Sequence, residues 1–264
     1  LEKIRSCLKG NETLVILTDK HSTPQVLAGE CIAAGFEQST LTVCETLGYA
    51  QEQVSRFEAE SLATSKQAFD PLHVTVIEVQ GPGGVLPEFP GIPDERFETG
   101  SEAGKGLLTK REVRLAILSM LQGGNDQVIW DIGAGCGGVS VELAYWNERT
   151  QVYGIEHHSE RLRCLEVNRQ RFGVPANLHV VAGRAPEALA ELPQPDKVFI
   201  GGSDGQLPAL LQQTWELLPV GGLLVASAVT ETTKQQLLAF YEQRNDQQDC
   251  DSETLQLAVS KGDR

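Results

Sequence analysis

Asp131-Ile132-Gly133-Ala134-Gly135-Cys136-Gly137-Gly138 closes a short apolar run and opens onto a helical pattern from Val139 to Trp146. Glycines let backbone approach a ligand closely, and a helix start offers N–H groups without intrahelical partners. Gly133, Gly135 and Gly138 satisfy G-x-G-x-x-G, so a nicotinamide dinucleotide site has to be weighed beside other nucleotide ligands. Glu156 ends the next apolar run, Val152-Tyr153-Gly154-Ile155-Glu156, 23 residues past Gly133. An acid at that strand end can accept hydrogen bonds from both hydroxyls of a ligand ribose.

Outward from this loop, apolar runs at Val128–Ile132, Gln151–Ile155, Leu178–Ala182, Lys197–Ile200 and Gly222–Val229 alternate with helical patterns. The alternation predicts an α/β domain, a parallel sheet covered by helices on both faces with right-handed crossovers. Before the first strand, Thr109 to Leu121 reads as an amphipathic helix, with Thr109 as N-cap, Glu112 in the capping-box position, and Val113, Ala116, Ile117 and Met120 on one face. That preceding helix, Asp131 two places before the first glycine, and Pro219-Val220-Gly221-Gly222 before the fifth strand match seven-stranded, Rossmann-like methyltransferases better than dehydrogenases.

The 264 residues, 41% hydrophobic and 22% charged, suffice for one large domain or two smaller ones and lie far from a disordered composition. No apolar run approaches the roughly 18 residues of a membrane span, and no signal peptide is visible. The start at Leu1 predicts a processed chain or a fragment. Six scattered cysteines without zinc-ligand spacing read as reduced thiols of a cytoplasmic protein. A net charge of -14 argues against nucleic acid and anionic membranes as partners. The flanks Leu1–Glu95 and Ala116–Arg264 each carry a net -8, whereas Arg96–Leu115, with Arg96, Lys105, Lys110, Arg111 and Arg114, carries +2.

Residues 81–106 hold seven glycines and four prolines and read as a linker between residues 1–80 and 107–264. Upstream, Thr13–Leu17 reads as a buried strand, Pro24–Ala34 as a helix, and Thr40–Cys44 and His73–Val79 as strands, too few for a complete domain.

The segments GIPDERF (Gly91–Phe97), LLTKREVR (Leu107–Arg114), WDIGAGCGGVSVELA (Trp130–Ala144), VYGIE (Val152–Glu156), VVAGRAPEAL (Val180–Leu189) and VFIGGSDGQL (Val198–Leu207) resemble the C-terminal half of the precorrin-6Y C5,15-methyltransferases of cobalamin biosynthesis. ILTDKHSTP (Ile16–Pro24), LTVCETLGYAQEQV (Leu41–Val54) and FDPLHVTVI (Phe69–Ile77) are similar to the second half of that family's C5-methylating domain. The resemblance therefore implies a partial α/β tetrapyrrole-methylase domain, lacking its own glycine-rich loop, before an S-adenosylmethionine-dependent methyltransferase domain. It also implies a further strand beyond Leu255-Gln256-Leu257 that this chain does not reach.

By resemblance, Thr109, Gly133, Ala134, Gly135, Cys136, Gly137, Glu156 and the turn Gly183-Arg184-Ala185 contact S-adenosylmethionine. A guanidinium accepts no hydrogen bond, so adenine contact at Arg184 should run through backbone. The implied reaction methylates carbon 15 of a precorrin and removes carbon dioxide from the ring C acetate, which makes alignment and water exclusion the enzyme's main tasks. No residue is assigned as catalytic base. Lys110 and Arg114, four apart in the positive stretch, read either as a clamp on substrate carboxylates or as a solvated helix face. Gly201-Gly202-Ser203 either leaves room for a flat macrocycle or is a plain turn with Ser203 or Asp204 as helix N-cap. His157 and His158 are adjacent and point apart, so no metal is expected, and Cys136 is read as a packing residue. A nicotinamide oxidoreductase and a non-catalytic S-adenosylmethionine-binding module stay open. A homo-oligomer, with a tetramer implied by the family, is expected.

Overall fold

The computed structural model describes residues 4–19, 21–100 and 107–260, which fall into two compact units, 1–88 and 89–264. Lys105 of the positive stretch lies outside the described residues.

The first unit contains α1 (Ile4–Cys7), β1 (Thr13–Leu17), α2 (Pro24–Ala33), β2 (Thr40–Glu45), β3 (Gln53–Glu58), α3 (Ala59–Ala63) and β4 (His73–Glu78). Its sheet is antiparallel in the order β1-β4-β2-β3. Thr23 starts α2 by accepting from the Val26 N–H, with Pro24 in the first turn where its missing donor costs nothing. Leu27, Ala28 and Cys31 of α2 and Leu62 of α3 bury one face of the sheet through Leu41 and Ile77. The opposite face is uncovered: Val15 and Leu17 are 68% and 84% exposed and Val54 is 57% exposed. β1 is thus an edge strand with one wet face, not the buried strand expected from its apolar composition. α1, β3 and α3 are present beyond the elements read from the sequence.

The Gly/Pro-rich stretch is not a free linker. Leu86 joins the first unit's core and the Gly83 N–H donates to Gly35 O. From Phe89 onward the chain belongs to the second unit, where Ile92 and Phe97 are buried and Phe97 packs 5.0 Å from Phe172 between centroids. Asn168 fastens the same segment, its amide accepting from the Glu98 N–H and donating to Glu98 O.

The second unit runs α4 (Arg111–Leu121), β5 (Val128–Ile132), α5 (Gly138–Trp146), β6 (Gln151–Glu156), α6 (Ser159–Arg171), β7 (Leu178–Ala182), β8 (Lys197–Ile200), α7 (Leu207–Leu217), β9 (Leu223–Ala226) and α8 (Glu231–Gln247). The strands form a parallel sheet in the order β7-β6-β5-β8-β9. Alternate residues enter opposite cores. Ile129 and Phe199 pack with Ile117, Val139, Leu143 and Leu165 on one side, while Trp130, Ile132, Val198 and Ile200 pack with Leu207, Leu210 and Leu211 on the other. This is the expected Rossmann-like α/β layering. The strand order reverses at β5, which places the switch-point crevice at the carboxyl ends of β5, β6 and β8. Asp251–Ser260 forms neither helix nor strand, and no helix among the described residues is long and apolar enough to cross a membrane.

The start of α4 departs from expectation. Its N-cap is Lys110, not Thr109, without a side-chain cap hydrogen bond, and the residue is extended at φ -62°, ψ 146°.

Candidate cofactor and substrate site

The loop after β5 is held by its own backbone. Gly133 and Ala134 N–H groups both donate to Ile155 O, Cys136 N–H to Leu107 O and Gly137 N–H to Ala134 O, while Gly135 N–H donates to Glu156 Oε2 at 3.0 Å. All five N–H groups therefore have protein acceptors, which leaves none of them for a pyrophosphate. The glycines themselves answer to packing. A Cβ on Gly133, where φ is +76°, would stand 2.7 Å from Gly202 N, and one on Gly135 would stand 2.6 Å from Leu107 O.

Glu156 is 3% exposed, and its carboxylate accepts from Gly135, His157 and His158 N–H groups, with Arg161 Nη1 3.7 Å from Oε2. A carboxylate has about four acceptor positions, so one remains beyond those three backbone donors. Asp131, under the same loop, accepts from the Ser140 hydroxyl through Oδ2 and has a buried, unpartnered Oδ1. Burial pushes its carboxyl up from 3.8 to about 6, against the Ser140 hydrogen bonds that pull it down. Cys136 is buried, and desolvation pushes its thiol up to about 12, which suits packing and not nucleophilic chemistry.

A cleft opens at the carboxyl ends of the strands, where a switch point of a parallel sheet places ligands. Glu156, Gly133, the Gly183-Arg184-Ala185 turn, Gly202 and Ser203 all line it. Thr109, Ala134, Gly135, Cys136, Gly137, Lys110 and Gly201 are not among its lining residues. Gly135, Cys136 and Gly137 are buried beneath the loop surface. The turn before α7 is capped by Gln206, so neither Ser203 nor Asp204 serves as its N-cap.

The paired clamp of Lys110 and Arg114 is corrected. Arg114 is fully buried: Nε donates to Glu142 at 2.9 Å, Nη1 to Asp94 at 2.6 Å and to Thr109 O at 2.5 Å, and Nη2 to Ile92 O. Phe97 lies under the guanidinium at 4.8 Å. The four-residue spacing fails because Lys110 precedes the helix, while Arg114 points inward from its first turn. Lys110 remains at the surface, 54% exposed, with Nζ 3.8 Å from Asp94.

Three charged or titratable residues of the cleft were given no ligand-binding role from the sequence. Arg161 is the third residue of α6, Asp204 directly follows the Gly-Gly-Ser turn, and His157 reads from the sequence only against metal binding. Their signal was adjacency to assigned residues.

A family model described as precorrin methyltransferase domain matches residues 102–258. The chain belongs to this family. The precorrin-6Y C(5,15)-methyltransferase [decarboxylating] of Sinorhizobium sp. is 39% identical over 240 residues, 90% of this chain and 56% of that protein, so the chain spans little more than half of this relative. The Probable cobalt-precorrin-6B C(15)-methyltransferase (decarboxylating) of Pyrobaculum calidifontis is 38% identical over 66% of this chain and 86% of its own length. The crystal structure of a precorrin-6Y C5,15-methyltransferase from Geobacter metallireducens GS-15 shares 36% identity with a TM-score of 0.55, covering 61% of this chain and 81% of that one.

Proposed function

We propose that residues 89–264 of this precorrin methyltransferase family member bind S-adenosylmethionine and methylate carbon 15 of a precorrin, with loss of carbon dioxide from its ring C acetate. The observation that carries the reading is Glu156, a nearly buried carboxylate at the end of β6 with an acceptor position left, lining the switch-point cleft. The relatives' names supply the substrate class. Membership of the precorrin methyltransferase family favours S-adenosylmethionine over a nicotinamide dinucleotide.

The residues present fit such a ligand. Glu156 would accept from the ribose, and the Gly183–Ala185 backbone would meet the adenine. S-adenosylmethionine, when bound, supplies an electrophilic methyl group on a sulfonium. Departure of carbon dioxide pushes its bonding electron pair into the macrocycle, so this chain needs to orient the ring and exclude water more than it needs a base. Lys110 would hold a substrate carboxylate, with Gly201, Gly202 and Ser203 leaving room for the ring.

Residues 1–88 are proposed to be the second half of a C5-methylating domain, supported by the Sinorhizobium match over 90% of the chain. Their uncovered sheet face supports self-association, with a tetramer as the assembly to test and a cytoplasmic setting for the whole. Calorimetry on the purified chain with S-adenosylmethionine and with NAD, followed by transfer of labelled methyl to a precorrin with measurement of released carbon dioxide, tests the function. Binding of NAD alone would overturn it, and binding of S-adenosylmethionine without turnover would reduce the chain to a binding module.

A further inference from the structure

Three loops meet on one carboxylate at the cleft. Asp204, after β8, places Oδ2 2.5 Å from His157 Nε2 of the loop after β6 and 3.5 Å from Arg184 Nη1 of the loop after β7. All three residues line the cleft that also contains Glu156. Their side chains are 32%, 45% and 51% exposed for His157, Asp204 and Arg184, so the bridge sits at the mouth and not in the floor. The chain reaches Asp204 with φ at +48°, a left-handed conformation that Asp and Asn tolerate better than other residues with side chains. Since the neighbouring turn is capped by Gln206, helix capping does not account for Asp204.

We propose that Asp204 is a positioning residue that latches the His157 and Arg184 loops across the mouth of the cofactor cleft and thereby sets how fast the adenosyl ligand enters and leaves. The proposal rests on the functional reading above. The latch joins protein groups only, so it slows entry and exit together and leaves the equilibrium affinity nearly unchanged. An exposed ion pair is a weak tie. It is suited to a gate that must open at every turnover, because product has to leave by the path the donor entered.

The test measures association and dissociation rates of S-adenosylhomocysteine by stopped flow, on the full chain and on Asp204→Asn, His157→Gln and Arg184→Gln. Asp204→Asn keeps the left-handed backbone and should raise both rate constants about two- to fivefold, the scale of an exposed pair, with little change in Kd. Equal rates in the two proteins overturn the latch alone. A raised dissociation rate with unchanged association also overturns it, because Asp204 would then touch the ligand itself. If the unsubstituted chain binds no S-adenosylhomocysteine in equilibrium dialysis, the functional reading falls and the latch with it.

Discussion

Arg114 Nε lies 2.9 Å from Glu142 Oε1, and neither side chain is exposed to solvent. Glu142 also accepts from Gly91 and Ile92 N–H and from Trp146 Nε1, so one buried carboxylate ties the segment entering the second unit to α4 and α5. A buried charge that loses its partner costs far more than the pair gains over apolar packing. Arg114→Met is therefore expected to destabilise the second unit by about 3–5 kcal/mol in urea unfolding. The double change Arg114→Met with Glu142→Leu should not restore stability, because it strands Asp94 and the backbone donors of Gly91 and Ile92.

Lys110 is the exposed charge at the edge of that network, its Nζ 3.8 Å from Asp94. Lys110→Glu is expected to leave S-adenosylmethionine affinity unchanged in calorimetry and to raise the precorrin Kd about two- to tenfold, an effect that shrinks in high salt. Unchanged precorrin binding would return Lys110 to the ordinary surface charge of a helix start.

Glu156→Gln should weaken S-adenosylmethionine by about 1–3 kcal/mol, the range of charge-assisted hydrogen bonds. The glutamine keeps the volume but can no longer accept through both head-group atoms, so part of the loss comes from a loosened Gly135 amide. A readout of backbone protection at Gly135 by hydrogen exchange separates the two contributions.

Burial raises the Asp131 carboxyl from 3.8 to about 6. The folded protein then holds a proton that the unfolded chain releases, so from about pH 4 to about pH 6 stability falls as pH rises. The full change is about 3 kcal/mol at one pKa unit per 1.36 kcal/mol. Asp131→Asn removes the ionisation, so in parallel urea titrations the variant should gain on the unsubstituted protein across that window.

The parallel sheet was legible because each strand is a short β-rich run bounded by turn residues, and Val128–Ile132, Leu178–Ala182 and Lys197–Ile200 fall where the runs are. β3 was not legible, since Gln-Val-Ser-Arg-Phe-Glu at a sheet edge carries its apolar residues among polar ones. Glu156 could be placed from spacing alone. Arg114 could not, because its partners lie 20 and 28 residues away and a four-residue spacing predicts surface neighbours only when both residues are helical. A sign was present in Glu142, a lone acid inside the buried helix Gly-Val-Ser-Val-Glu-Leu-Ala, which has to find a cation. The glycine loop was legible as a loop, but its amides turned inward for reasons held in the carbonyls of Leu107 and Ile155, which no local motif specifies.

Because Ile92, Asp94 and Phe97 are sewn into the second unit, the seam at which the gene can be cut and rejoined lies upstream of them. A crossover at the codons near residue 107, where the composition invites a break, would yield a daughter protein whose inner arginine had lost its aspartate and whose hydrophobic interior lacked two plugs. A crossover near residue 88 would keep those contacts together in one unit. A stretch rich in turn formers thus belongs to the interior of the unit it precedes.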